Sequence, residues 1–161
     1  MKAVRKVESG HGLVVQDIPL PEISPNEVLV QVEAASICGT DLHIWEWDDW
    51  SSHNIDPPVT LGHEFAGTVV ELGKDVETIG IGDYVSAESH VTCDACFQCR
   101  SGRRHMCAKP NILGVHRDGA FAEYISVPSK VIWKINSNCA GKSNGWSRPD
   151  SPMSQRSNKQ Q

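Results

Sequence analysis

The chain has 161 residues, a formal net charge of −5 and a hydrophobic fraction of 39%. That is room for one packed domain and a tail, and enough apolar content to exclude a wholly disordered chain. The acidic balance argues against a nucleic-acid or polyanion binder, which needs a basic face. No stretch approaches the roughly 18 continuous apolar residues of a membrane span, so no membrane partner is expected.

Read in chain order, the first residues, MKAVRKVESG, hold no apolar segment of the kind a secretion signal needs. The expectation is a cytoplasmic protein whose six Cys are thiols, thiolates or metal ligands before they are disulfides. Leu13-Val14-Val15 reads as a strand stopped by Pro19 and Pro21. Val28, Val30 and Val32 alternate with Leu29, Gln31 and Glu33, a strand with one polar-leaning face. A short helix is predicted from Thr40 or Asp41, both good N-caps, to Trp47. Phe65 to Leu72 is a second strong strand ended by Gly73, and Tyr84 to Ala87 follows the Gly82-Asp83 turn. Phe121 to Val127 and Val131 to Ile135 form two more, split by Pro128. The expected fold class is mainly β with short helices, a barrel-like or sandwich body over residues 1–135. Residues 136–161 hold six Ser, four Asn and three Gln with no period of 2 or 3.6. They are expected to be a disordered polar tail, such as an out-of-frame read or a premature stop would produce.

The strongest chemical signal is Cys93-x2-Cys96-x2-Cys99-x7-Cys107. Four thiolates within 15 residues suit a closed tetrahedral structural zinc site, with an iron–sulfur cluster as the rival. Arg100, Arg103, Arg104 and Lys109 surround them, and such cations would offset the thiolate charge and lower the thiol pKa values. A second set lies outside this lobe: Cys38, then His63 and Glu64. A Cys, a His and a carboxylate suit a catalytic zinc with one open position. Each residue also has an ordinary reading: a buried small thiol, a hydrogen-bonded histidine, a solvated strand end.

The surrounding pattern bears on that choice. Gly62-His63-Glu64-x2-Gly67-x5-Gly73-x2-Val76 resembles the zinc signature of the medium-chain alcohol dehydrogenase superfamily. The order Cys38-Gly39-Thr40-Asp41, Gly62-His63-Glu64, Gly82-Asp83-x-Val85 and then the four-Cys lobe is similar to that superfamily's order. Ile37 to Ile44, Trp45-Glu46-Trp47-Asp48-Asp49-Trp50, Ser89 to Cys93 and Arg100 to His105 resemble its L-threonine 3-dehydrogenase branch. The resemblance implies a GroES-like catalytic domain over residues 1–135, with a structural zinc lobe at 93–107. It implies Cys38 and His63 as catalytic zinc ligands and Glu64 as ligand or near-ligand. It implies Thr40 and His43 as a proton relay and His90 as part of an amino-acid pocket. The implied reaction is NAD-linked oxidation of a secondary alcohol, L-threonine at its 3-hydroxyl, by a complete protein that is a homo-oligomer. Local readings stand beside these: Thr40 as helix cap, His43 as surface residue, His90 as loop histidine and the Trp/Asp run as an exposed turn.

A dinucleotide needs a Gly-x-Gly-x-x-Gly turn between a strand and a helix. Gly10-x-Gly12 and Gly80-x-Gly82 are the only Gly-x-Gly pairs, and each has Val in place of the third Gly. A Rossmann domain is therefore expected to be absent, and the chain is expected to be inactive alone. The alternative reading is a stand-alone zinc-binding β-domain that acts as an interaction or metal-holding module.

Overall fold

The computed structural model describes residues 1–135, so the expected tail lies outside the described residues. The strands are β1 (Lys2–Lys6), β2 (Val14–Asp17), β3 (Glu27–Ser36), β4 (Val59–Thr60), β5 (Glu64–Leu72), β6 (Tyr84–Ala87), β7 (His90–Val91), β8 (Asn111–Ile112), β9 (Tyr124–Pro128) and β10 (Ile132–Lys134). Three short helices join them: α1 (Gly39–Glu46), α2 (Asp49–Asn54) and α3 (Phe97–Arg100). The main sheet runs β10-β6-β5-β3-β9, with a smaller sheet β2-β1-β4 and a β7-β8 pair. All named pairings are antiparallel. The architecture is mainly β, as the composition and punctuation imply.

Three expectations about strands need correction. The first half of β3 has no polar face, because Leu29 is buried along with Val28 and Val30. Alternation begins only at Gln31. The strand expected from Phe121 starts at Tyr124. The Val4 N–H donates to the Phe121 carbonyl (2.7 Å), and Val32 N–H to that of Glu123 (3.0 Å). Residues 121–123 therefore cross from the small sheet to the large one, dividing their hydrogen bonds between two neighbours. Nor does Pro128 split the last strands from outside, since it is the final residue of β9, paired with Glu27.

Two apolar clusters fill the interior. Val28, Val30, Val69, Val85, Ile125 and Val127 centre the larger one between the strands of the main sheet. Ile44, Ile55, Leu61 and Val115 form the smaller one, with Trp47 and Phe121 packed against it. Ile44 comes from α1, so this second core fixes that helix to the β4–β5 connection.

An ion pair closes the end of the main sheet. Arg117 donates to Glu27 Oε1 (2.7 Å) and to the Ser126 carbonyl, while the Ser126 hydroxyl donates to Glu27 Oε2 (3.0 Å). Burial pushes the Glu27 carboxyl upward, but bonds from Arg117, the Ser24 N–H and Ser126 together hold it below the usual glutamate value. A depressed carboxyl stabilises the fold above its unfolded pKa of about 4.5 and loses that contribution as pH falls through the native value. Glu27→Gln is expected to cost about 2 kcal/mol at neutral pH, because it leaves Arg117 without its counter-charge. The difference from the parent should vanish in acid, and urea unfolding at both pH values checks this.

Candidate metal centres

Cys38 stands at the junction between β3 and α1, with extended backbone as the helix N-cap. This corrects the expected cap: neither Thr40 nor Asp41 begins the helix. Asp41 is its third residue, and its Oδ2 accepts the Cys38 N–H at 2.9 Å. Thr40 lies one residue into α1, with Oγ1 3.9 Å from Cys38 Sγ. The acidic-Trp run is largely exposed, but only Trp47 and Asp48 form a turn, between the end of α1 and the start of α2. Trp47 adopts a left-handed conformation (φ 59°) that ends α1, and Asp48 then caps α2 by accepting the Ser51 N–H at 2.9 Å.

His63 and Glu64 arrive from the other side. β3 and β5 pair with Ser36 opposite Glu64, so the end of one strand and the start of the next lie side by side. The Ser36 hydroxyl donates to Glu64 Oε2 at 2.7 Å. Gly62 makes the turn into this segment at φ +89°. The result is that one ligand atom each from Cys38, His63 and Glu64 lies within 4.8 Å of the other two. His63 Nδ1 is buried and has no hydrogen-bond partner among the described residues. A thiol, an imidazole and a carboxylate around one point, with a buried ring nitrogen left over, fit a divalent zinc-type ion.

The lobe gathers the other four. Cys93, Cys96, Cys99 and Cys107 place their sulfurs within 4.8 Å of one another. Cys93 Sγ is 3.5 Å from that of Cys107 and 4.0 Å from that of Cys99. A tetrahedron with metal–sulfur bonds of about 2.3 Å has edges near 3.8 Å, so these separations bracket the zinc geometry. No pair is joined as a disulfide among the described residues. The reason for thiol acidity differs from expectation. Cys96 is drawn down to about 6 chiefly by the N–H groups of Ala108 and Cys99, and Cys107 is lowered chiefly by that of Cys93. Burial instead pushes Cys99 up to about 12. Backbone donors, not the neighbouring arginines, lower Cys96 and Cys107. Arg104 is engaged elsewhere, 3.3 Å from Asp94, which Lys130 also pairs.

The remaining predicted residues are placed as follows. His43 is on α1 with its Nδ1 2.6 Å from Asp48 Oδ2. His90, exposed on β7, is 3.0 Å from the Ser89 hydroxyl and is not one of the three converging ligand groups.

Sequence reading missed the role of Asp41. Its carboxylate is 3% exposed and accepts the Cys38 N–H through one oxygen and the Gly62 N–H (3.3 Å) through the other. One buried side chain thus ties the Cys38 arm to the His63 arm. The signal was present as an acid three residues after the helix cap, the capping-box spacing. Asp41→Ala is expected to lower unfolding free energy by about 3 kcal/mol, since it strands two N–H groups. Asp41→Asn, which keeps the volume, should weaken metal uptake at Cys38 and His63 by about 10–100-fold. Denaturant unfolding and metal titration check these two effects separately.

Comparisons with known proteins bear on this arrangement. A family model described as the alcohol dehydrogenase GroES-like domain matches residues 24–137. An L-threonine 3-dehydrogenase of Symbiobacterium thermophilum is 53% identical over 133 residues, which are 83% of this chain and 38% of that protein. Its counterpart in Pyrococcus horikoshii is 50% identical over 134 residues, 83% of this chain and 38% of the relative. Among solved structures, a zinc-binding dehydrogenase from Sinorhizobium meliloti 1021 bound to NADP superposes with a TM-score of 0.77 at 42% identity, over 85% of this chain and 39% of that one. Galactitol-1-phosphate dehydrogenase from Escherichia coli superposes with a TM-score of 0.76 at 33% identity, over 86% and 39% respectively. The chain therefore spans about two fifths of the length of these relatives. With the main sheet and both sets of ligand side chains falling inside residues 24–137, the chain belongs to the GroES-like domain family of the zinc-dependent alcohol dehydrogenases.

Proposed function

We propose that residues 1–135 are the zinc-binding, substrate-side domain of an NAD-linked alcohol dehydrogenase whose substrate is L-threonine, oxidised at its 3-hydroxyl. The observation that carries the reading is the convergence of Cys38, His63 and Glu64 beside the Thr40 hydroxyl. The threonine-dehydrogenase relatives support the choice of substrate. Cys38, His63 and Glu64 would hold the catalytic ion, and Cys93, Cys96, Cys99 and Cys107 a structural one. Zinc at the first site supplies Lewis acidity that lowers the pKa of an alcohol oxygen.

The chain's own residues do the rest. Thr40, two residues after the ligand Cys38 and with its hydroxyl 3.9 Å from that sulfur, takes the hydroxyl proton. His43, with Nδ1 tied to Asp48, passes it on through its second nitrogen. His90 recognises the amino-acid end of the substrate. The complete protein works as a homo-oligomer in the cytoplasm. Among the described residues no helix is long and apolar enough to cross a membrane.

Residues 1–161 hold no Gly-x-Gly-x-x-Gly turn. By themselves they are proposed neither to fix NAD nor to place its ring within the roughly 3–3.5 Å that hydride transfer needs. Cobalt titration of the purified chain tests the site half of the proposal. Visible absorbance should show two uptake phases, with the weaker one lost in Cys38→Ser and His63→Ala and perturbed by L-threonine. A weaker phase indifferent to both substitutions would overturn the metal assignment. Threonine-dependent NADH formation by residues 1–161 alone would overturn the cofactor half.

A further inference from the structure

Lys6, the last residue of β1, is only 1% exposed. A lysine rarely buries so fully unless other groups replace its water. Here the Lys6 ammonium donates to the carbonyls of Gly10 and Gly12 and stands 4.8 Å from the centroid of the Trp47 ring. Its partners belong to two separate segments, the 10–12 loop and the residue that ends α1. Those segments meet again without it. Gly12 N–H donates to the Trp45 carbonyl at 2.7 Å, and the His11 ring lies 4.3 Å from the Trp45 ring. Trp47 N–H and Asp48 N–H both donate to the His43 carbonyl, and the Asp48 carboxylate holds His43 Nδ1.

We propose that Lys6 is a positioning residue: its ammonium clamps the 10–12 loop to the end of α1 and thereby fixes the His11–Trp45 contact and His43. The importance of fixing His43 rests on the relay role proposed above, but the clamp itself is testable without any metal. A methionine stem would fill the same space, yet it has no donor for the two carbonyls and no charge for the indole face. An arginine retains both.

Amide hydrogen exchange on the full chain is the test. In Lys6→Met, exchange at Gly12 and Trp47 should rise about tenfold or more while amides of the β3–β5 pair stay within about twofold of the parent. Lys6→Arg should restore slow exchange at both positions. Trp47→Leu provides a second reading that leaves the lysine in place. Gly12 should exchange faster in it, because the ammonium then holds only the 10–12 loop and no longer braces it against the end of α1. Unchanged exchange at Gly12 in both Lys6→Met and Trp47→Leu would overturn the proposal. So would an equal acceleration of the β3–β5 amides, which would make Lys6 a contributor to global stability only. Failure of the metal assignment is read from the cobalt titration and leaves these outcomes intact.

Discussion

Cys99→Ser is expected to release one tightly held zinc per chain and to unravel the lobe around it, while the main sheet survives. The lobe has no core of its own: from residue 92 to residue 110, Cys99 is the only buried position. Phe97 and Met106, its large apolar side chains, are 74% and 60% exposed. Its regular structure is the four-residue α3 and a single 3-10 turn at Arg104–Met106. Segments that cannot bury apolar surface need another source of free energy to offset chain entropy. Structural zinc supplies about 10–16 kcal/mol in small cysteine-ligated folds. Ordinary contacts here are few: Asp94 with Arg104 and Lys130 on one side, and the β7–β8 pair at the base. Elemental analysis should therefore show the loss of one zinc. Limited trypsin digestion should cut at Arg100, Arg103 or Arg104 much faster than in the parent, with far-UV circular dichroism from the sheet retained. Full zinc content in the variant would refute the four-cysteine assignment.

Gly62→Ala is expected to damage the other centre by backbone geometry rather than by loss of a ligand. Gly62 sits at φ +89°, where a side chain is strained. A Cβ there would also land on the Phe121 ring, which packs against the smaller core. The backbone has no room to shift away, because Gly114 and Gly119 approach Gly62 so closely that neither has space for a Cβ. Gly62 further donates its N–H to Asp41 and accepts the Ala120 N–H at 2.8 Å. Strain and overpacking together should cost about 3–4 kcal/mol, lowering Tm by roughly 10 °C. Because His63 follows directly, cobalt or zinc uptake at the Cys38 centre should weaken while the lobe keeps its ion. Gly10→Ala is the control. Gly10 also has positive φ (+115°), but nothing lies within 4 Å of its Cβ position. It should lose only about 1 kcal/mol and leave both metal sites intact. Thermal melts and metal stoichiometry on the two variants separate the effects.

Much of the site was legible in the amino-acid sequence because the chemistry was local. Four cysteines within 15 residues can reach one ion whatever the rest of the chain does, so spacing alone specified the lobe. β5 and β6 were readable because alternation and a glycine turn are also local properties. β1 was not predicted, since MKAVRK looks polar until its lysine is found buried under Trp47. The N-cap was misplaced because Cys38 is not a common capping residue, and the favourable hydrogen bond comes from Asp41 three residues later.

Tertiary structure alone decided how distant residues meet. Cys38 and His63 are 25 positions apart, and the antiparallel register that sets Ser36 opposite Glu64 brings them together. Asp41 gains its role only because that register delivers the Gly62 N–H to its second oxygen. Glu27 and Arg117 pair across 90 positions, and Lys6 needs the end of α1 folded over β1 before its ammonium has partners. The physical reason is the same in each case. Propensity and spacing act within a turn or a strand, whereas a ligand set drawn from several elements exists only after burial and strand pairing have offset the entropy of closing the loops between them.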